Sequence, residues 1–168
     1  MIDTGILEED EHVELLEGEI VQMSPQDPPH ARPTRRLTRW FNQALGDEYA
    51  VRPQMPLTLP DSEPEPDLAV VWTRDEDSLE DHPRTALLVI EVADSSARYD
   101  LMVKSRIYAK AGIPEYWLVL VRKRSIEVLR DPDPAAGVYL SRLTVGEGDC
   151  VAPKALPGPT IDVRALFA

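Results

Sequence analysis

The chain has a single cysteine and no long apolar segment, and these two absences exclude several classes of protein. Because Cys150 is its one thiol, no internal disulfide can form among the 168 residues. The longest apolar run, 118–121 with the preceding aromatics Tyr116 and Trp117, is far too short to cross a bilayer, and the acidic start MIDTGILEEDE lacks the apolar core of a signal peptide. We therefore expect no membrane insertion and a reduced, cytoplasmic setting.

Several sequence motifs of common enzymes are also absent. The chain contains no GxxxxGK[ST] phosphate loop, no GxGxxG dinucleotide motif and no GxSxG nucleophile elbow. The three histidines, His12, His30 and His82, show no ligand spacing, and one cysteine cannot form a CxxC pair, so zinc is not predicted. Ser95 and Ser96 are better explained as helix caps than as nucleophiles.

The charge balance is acidic, with 18 basic against 30 acidic residues and a net charge of −12. This is the wrong sign for a protein whose whole surface binds phosphate, so nucleic-acid binding would need a local basic strip. For any single basic residue, a solvated surface position is the commoner role. The candidate strips are Arg32, Arg35, Arg36 and Arg39; Arg98, Lys104, Arg106 and Lys110; and Arg122, Lys123 and Arg124.

One buried strand carries an unexpected acid. Residues 86–93, Ala-Leu-Leu-Val-Ile-Glu-Val-Ala, are apolar on both faces, which is typical of a strand covered on both sides of a sheet. Glu91 is its one charge. Leaving an ionised carboxylate buried and unpaired would cost several kcal/mol, roughly, so a cation, a metal or a shifted pKa is expected beside it.

The next segment predicts a helix from about Arg98 to Ala111, with Ser95 or Ser96 as its N-cap. At about 100° per residue, Asp100 and Lys104 fall inside the apolar arc of that helix, while Ser105, Arg106, Ala109 and Lys110 fall on the opposite arc. Lys104 is therefore expected to point at the sheet. The alternative is that Asp100 and Lys104 form a structural i,i+4 ion pair on the rim of the arc, which would stabilise the helix by about a few tenths of a kcal/mol.

The remaining pattern predicts one mixed α/β domain over residues 1–168. The hairpin at its start carries Glu14, Glu17 and Glu19, of which at least two are expected on a solvated acidic face. Asp67 stands immediately before a buried run. The other predicted elements are a hairpin at 13–23, a proline-rich loop at 24–29, an amphipathic helix from His30, an edge strand within 49–59, a strand at 68–72, a charged loop at 73–83, strands at 116–121, 125–129 and 138–145, a loop at 131–137 and a short helix at 161–167.

These breaks in the hydrophobic pattern suggest a metal site. Asp67, Glu91 and an inward Lys104 on adjoining elements would suit Mg²⁺ or Mn²⁺, which prefer carboxylate and water oxygens. Such an ion polarises a phosphoryl oxygen and activates water, while a lysine steadies the nucleophile or the developing charge. Phosphodiester hydrolysis is the predicted reaction.

The order of motifs supports a specific resemblance. ELLEGEIVQMSP, a helix opened by His30, PEPDLAVV, VIEVADSS, YDLMVKSRIYAKAGIPEYWLV and a late LPG resemble the Uma-two family of the PD-(D/E)XK nuclease superfamily. The resemblance spans 14–167. It implies an α/β fold with a restriction-endonuclease-like core, in which a central mixed β-sheet is flanked by helices, with an N-terminal hairpin and additional C-terminal strands.

The resemblance also implies roles for individual residues. Asp67 and Glu91 would be catalytic metal ligands, and the main-chain carbonyl of Val92 would be a further contact. Ala93 stands where the superfamily lysine is usual, so Lys104 would supply the catalytic cation from the helix. Asp100, Glu17 and His30 also match family positions. They are auxiliary candidates, and a structural role is favoured for Glu17 and His30.

The resulting hypothesis is a Mg²⁺-dependent endonuclease acting on DNA, in which Mn²⁺ can substitute. A homodimer is expected only because cutting both strands commonly uses paired sites. Two alternatives stay open: a non-enzymatic protein-interaction module that kept the nuclease fold, and a nuclease acting on RNA or on branched or single-stranded DNA.

Overall fold

A computed structural model describes residues 13–22, 28–76, 81–94, 96–158 and 160–168, with the backbone alone at 28–30. Residues 24–27 of the predicted loop at 24–29 and the candidate cap Ser95 lie outside the described residues. The last two residues of that predicted loop are helical, because the first helix begins at Pro28 and not at His30. In chain order the elements are β1 (Val13–Leu16), β2 (Glu19–Gln22), α1 (Pro28–Ala44), β3 (Tyr49–Arg52), β4 (Leu68–Trp72), α2 (Thr73–Glu76), β5 (Leu88–Ala93), α3 (Ala97–Tyr99), a π-helical turn (Asp100–Lys104), α4 (Ser105–Lys110), β6 (Glu115–Leu120), β7 (Ser125–Asp133), β8 (Val138–Gly146), β9 (Cys150–Val151), β10 (Ile161–Asp162) and α5 (Val163–Phe167).

The centre of the fold is a six-stranded mixed sheet in the order β3-β4-β5-β6-β7-β8. Its one parallel pair is β5 with β6, joined by the helical segment 97–110, because parallel neighbours need a long crossover connection. All its other pairs are antiparallel. Two small sheets, β1–β2 and β9–β10, stand apart from it. The predicted mixed sheet flanked by helices is confirmed.

Alternation along the strands separates two hydrophobic cores. Val70, Ile90 and Val92 face the core beneath α1 and α5, whereas Ala69, Val71, Val89 and Ala93 face the core beneath α4. We call the second side the α4 face. The candidate acids occupy positions that continue its alternation, so this is the side on which the site is built.

The predicted helix at 98–111 is present but is not a regular α-helix. The backbone N–H of Ser105 bonds to the carbonyl of Asp100, an i to i+5 bond that inserts extra residues into one turn. The prediction that Ala109 lies on the solvated arc is therefore wrong, because this residue is fully buried. Ser96 occupies the N-cap position, yet its hydroxyl donates to Asp100 Oδ2 at 2.6 Å instead of capping the backbone.

Four other boundaries differ from the predictions. The edge strand stops at Arg52, the predicted loop at 73–83 begins with α2, and β10 precedes the final helix. β7 continues through Pro132 to Asp133, where a loop at 131–137 was predicted. Beyond Arg130, β7 extends past the start of β6 and pairs only with β8, so a proline can be tolerated there. Within the described part of the chain, no helix is long and apolar enough to span a membrane.

Candidate active site

Two acids of the central sheet lie on its α4 face. Asp67 directly precedes β4 and is two residues from Ala69, while Glu91 in β5 lies between Val89 and Ala93, so both carboxylates continue the alternation of that face. Both residues are buried. Asp67 Oδ2 accepts a hydrogen bond from the backbone N–H of Val92 at 2.8 Å. The first acid is therefore fixed against the strand that carries the second.

The backbone of Val92 faces the same place. Ala93 accepts a hydrogen bond from Val121, on the β6 side, so the N–H and carbonyl of the preceding residue point toward β4. The register pairs Leu68 with Ile90, and β4 has not yet begun opposite Val92. The Val92 carbonyl is thus directed to the strand end occupied by Asp67.

Lys104 reaches the same cluster from the π-helical turn. Its ammonium donates to Glu91 Oε1 and to Glu14 Oε1, both at 3.0 Å, and its side chain is 8% exposed. The prediction that Lys104 points at the sheet is confirmed. Asp100 is also buried but bonds to Ser96, and the ion pairs of Lys104 run to the two glutamates, not to a rim pair with Asp100.

Glu14 belongs to this cluster although the sequence analysis counted it only among the hairpin acids. It is 5% exposed, and its Oε1 also accepts the backbone N–H of Glu65 at 2.8 Å. Through Glu14, the hairpin therefore contacts both the loop before Asp67 and the π-helical turn. The available signal was alternation, since Glu14 shares a strand face with the buried Leu16.

Burial dominates the electrostatics of the acid at the centre. It raises the pKa of Glu91 to about 8; Lys104 opposes this rise, and the charges of Asp67, Asp100 and Glu14 add to it. Burial also pulls the pKa of Lys104 down, but the carboxylates of Glu91, Glu14 and Asp100 outweigh it and the net direction is upward. Lys104 is consequently an ammonium at every physiological pH.

Two buried tyrosines complete the surroundings. The Tyr108 hydroxyl donates to Glu91 Oε1 at 2.7 Å, and the Tyr116 hydroxyl donates to the carbonyl of Asp100 at 3.3 Å. Their ring centroids are 5.2 Å apart. The rings pack in the core, and the hydroxyl of Tyr108 orients Glu91 together with Lys104.

The auxiliary candidates are placed differently. Burial raises the pKa of the Asp100 carboxyl, while the hydrogen bond from Ser96 opposes the rise. Glu17 lies outside the cluster at the hairpin turn, where it binds Arg106 and Lys110 and ties the hairpin to α4. Its hydrogen bonds from Arg106 and Lys110 lower its pKa. The side chain of His30 lies outside the described residues.

The donor set is compatible with a hard cation held by few protein ligands. Among the described residues, no group of three or more His, Cys, Asp or Glu side chains is arranged to hold a metal. Glu91 Oε1 already accepts from Lys104 and Tyr108, and no described residue donates to its Oε2. Two carboxylates and a carbonyl are oxygen donors of the kind that Mg²⁺ takes together with water.

Comparison with known proteins identifies the fold and the family. The crystal structure of a "putative nuclease belonging to DUF820" from Anabaena variabilis superimposes with a TM-score of 0.80 at 15% identity, covering 98% of this chain and 94% of that one. No curated protein matches the chain. A family model described as "Putative restriction endonuclease", Uma2, matches residues 3–164. The chain therefore belongs to the Uma2 family.

Proposed function

We propose that the protein is a metal-dependent nuclease of the PD-(D/E)XK type that hydrolyses phosphodiester bonds of DNA. The observation that carries this proposal is the buried cluster of Asp67, Glu91 and Lys104 on one face of the sheet. The family description and the nuclease-like fold support the reaction class. In a core without a function, apolar side chains would be more stable at these positions, because burying a charge carries a large desolvation penalty.

The metal would be Mg²⁺, with Mn²⁺ as a substitute, held by Asp67, Glu91 and the Val92 carbonyl. When bound, it supplies Lewis acidity toward a phosphoryl oxygen and a more acidic water. The protein contributes fixed ligand positions. Asp67 is held by the Val92 N–H, and Glu91 is held by the donors Lys104 and Tyr108.

Lys104 acts as a cation in this proposal, not as a base. Its ammonium is paired with two glutamates, which raise its pKa, and therefore it retains its protons. A buried ammonium can donate hydrogen bonds to an attacking water or stabilise the charge that develops on the phosphoryl group. Tyr108 helps to keep Glu91 in place beside it.

Cleavage assays test this proposal. Purified protein would be incubated with supercoiled plasmid, single-stranded DNA and RNA in Mg²⁺, Mn²⁺ or EDTA, beside Asp67→Asn and Lys104→Met. We expect metal-dependent DNA nicking that falls by at least about 10²-fold in both variants, as for loss of one electrostatic catalytic group. Lys110→Ala is the matched control, because Lys110 pairs with Glu17 on the surface outside the cluster. Cutting that survives in folded Asp67→Asn would refute the assignment.

A non-enzymatic module is the second candidate, and one observation favours it. Lys104 already forms ion pairs with Glu14 and Glu91, so the cluster is partly neutralised by the chain itself. In that case neither Mn²⁺ binding by calorimetry nor cleavage of any polymer would be detected. Preferential cutting of RNA or single-stranded DNA in the same assay would instead change the substrate while retaining the site.

A further inference from the structure

A groove of about 410 Å³ lies between α1 and the segment that follows β3. One wall is the face of α1 with Arg35 and Arg39, and the other is formed by Pro53 and Gln54. The remaining lining is small and mostly uncharged. The full set of lining residues is Ala31, Thr34, Arg35, Thr38, Arg39, Pro53 and Gln54.

The groove is locally basic in an acidic protein. Arg35 and Arg39 are one helical turn apart, so their side chains lie on neighbouring parts of the same helix face. Both are exposed, and neither forms an ion pair with a carboxylate among the described residues. The sequence of α1, PPHARPTRRLTRWFNQA, contains no aspartate or glutamate that could neutralise them.

The groove adjoins the strand end at which the candidate active site is built. The backbone N–H of Gln54 donates to the carbonyl of Asp67 at 3.3 Å. One residue of the groove wall is therefore hydrogen-bonded to the residue that carries the first candidate metal ligand. Because α1 packs on the opposite face of the sheet from the cluster, a polymer that contacts both must pass around this strand end.

We propose that this groove binds the phosphodiester backbone of the nucleic-acid substrate, with Arg35 and Arg39 as its phosphate ligands. This inference rests on the proposed nuclease function and names a contact outside the catalytic cluster. Guanidinium groups match phosphate oxygens by paired hydrogen bonds, and Ala31 and Pro53 offer apolar surface to the sugar. The Thr38 hydroxyl already donates to the Thr34 carbonyl, so the arginines supply the charged donors.

The groove also explains how a chain of net charge −12 could hold a polyanion. Nucleic-acid affinity depends on the few cations that face phosphates, and each such contact contributes to the salt dependence of binding. Arg35 and Arg39, which form no ion pair among the described residues, supply such charge locally in the groove.

Binding is measured separately from cleavage. Fluorescence anisotropy of a labelled DNA oligonucleotide in EDTA would be recorded over a range of salt for wild type, Arg35→Ala/Arg39→Ala and Gln54→Glu. Arg32→Ala is the matched control, since Arg32 is an exposed arginine of the same helix that does not line the groove. Gln54→Glu adds a negative charge to the opposite wall with almost no change in size.

We expect the double variant to bind at least about tenfold more weakly and to lower the slope of log K against log salt by about two, one for each phosphate contact. Gln54→Glu should also weaken binding, and Arg32→Ala should not. If wild type binds DNA but the groove variants bind equally well, or Arg32→Ala loses as much per charge, the groove assignment is overturned while the nuclease proposal stands. If the wild-type protein binds no nucleic acid, both the groove assignment and the nuclease proposal are refuted.

Discussion

The Glu14 carboxylate holds the hairpin against the cluster, because it accepts a hydrogen bond from Lys104 at 3.0 Å. Asp67, Glu91 and Lys104 could be recognised in the sequence because Asp67 directly precedes a buried run and the other two interrupt apolar patterns, and the structure brings them together. Glu14 does not interrupt an apolar run, and an acid on a hairpin is usually exposed to solvent, so its burial was not predicted. Its burial depends on where the hairpin docks, a long-range contact that local alternation alone does not specify.

Glu91 should make the metal-free protein less stable as pH rises. Its pKa is raised from an ordinary 4.5 to about 8, so the folded state holds a proton that the unfolded state releases. The stability from this proton is fully present below pH 4.5 and is lost as pH rises through about 8. Between pH 5 and 8 the loss should be about 3 kcal/mol, to order of magnitude.

Urea unfolding in EDTA across that pH range checks this expectation. Glu91→Gln removes the titrating group and should flatten the decline relative to wild type, whereas Glu48→Gln, at an exposed position, should leave it unchanged. Parallel pH profiles for wild type and Glu91→Gln would contradict the assignment of the raised pKa to this carboxyl.

Lys104 and Glu14 should be energetically coupled. Lys104→Met leaves the buried Glu14 without its cation and should destabilise the protein by about 3–5 kcal/mol. Adding Glu14→Gln removes that charge, so the double variant should lose less than the sum of the single losses. A double-mutant cycle in urea should give a coupling of about 0.5–3 kcal/mol, and additivity would refute a direct interaction.

Among the elements, the segment 97–110 departs most clearly from the sequence pattern. The predicted apolar arc assumed one fixed angle per residue, but the π-helical turn changes the phase between Asp100 and Ala109. A π-helical turn has no sequence signal as strong as proline or glycine, so periodicity could locate the helix but not its phase. Similarly, the long β7–β8 pairing outweighed the Asp-Pro-Asp sequence that predicted a loop.

The turn of the β1–β2 hairpin offers a test of that element alone. Gly18 has a φ of +81°, a conformation that L side chains rarely adopt, although the space around it is open. Gly18→Ala should therefore destabilise by about 1 kcal/mol through backbone strain. Gly146→Ala is the matched control, because that glycine has open space and no positive φ, and it should be neutral or slightly stabilising. Equal thermal midpoints for the two variants would contradict this explanation.

For the whole molecule, the proposed metal should increase stability by mass action. A ligand that binds only the folded state at 100 times its Kd stabilises by about 2.7 kcal/mol. For a chain of this length, that corresponds to a rise in Tm of roughly 5–10 °C. Mn²⁺ should produce it in wild type and in Asp47→Asn, an exposed control, but not in Asp67→Asn. The same rise in Asp67→Asn would place the ion elsewhere.

The global fold was the most predictable level of description. Buried strands and an amphipathic α1 specify a covered mixed sheet without any knowledge of side-chain contacts, and the order of motifs agrees with it. Oligomeric state stays a prediction, because it depends on surfaces that no hydrophobic period reveals. Sedimentation of the purified protein over a range of concentrations would decide between monomer and dimer.

The pairing of Glu14 with Lys104 joins positions 90 residues apart in the chain. Closing a loop of that length is entropically unfavourable until most of the intervening sheet has formed. We therefore expect the central sheet to assemble first and the hairpin to dock afterwards, so that the cluster becomes complete only in the last stage of folding. A φ-value near zero for Glu14→Gln would agree with this order, and one near unity would contradict it.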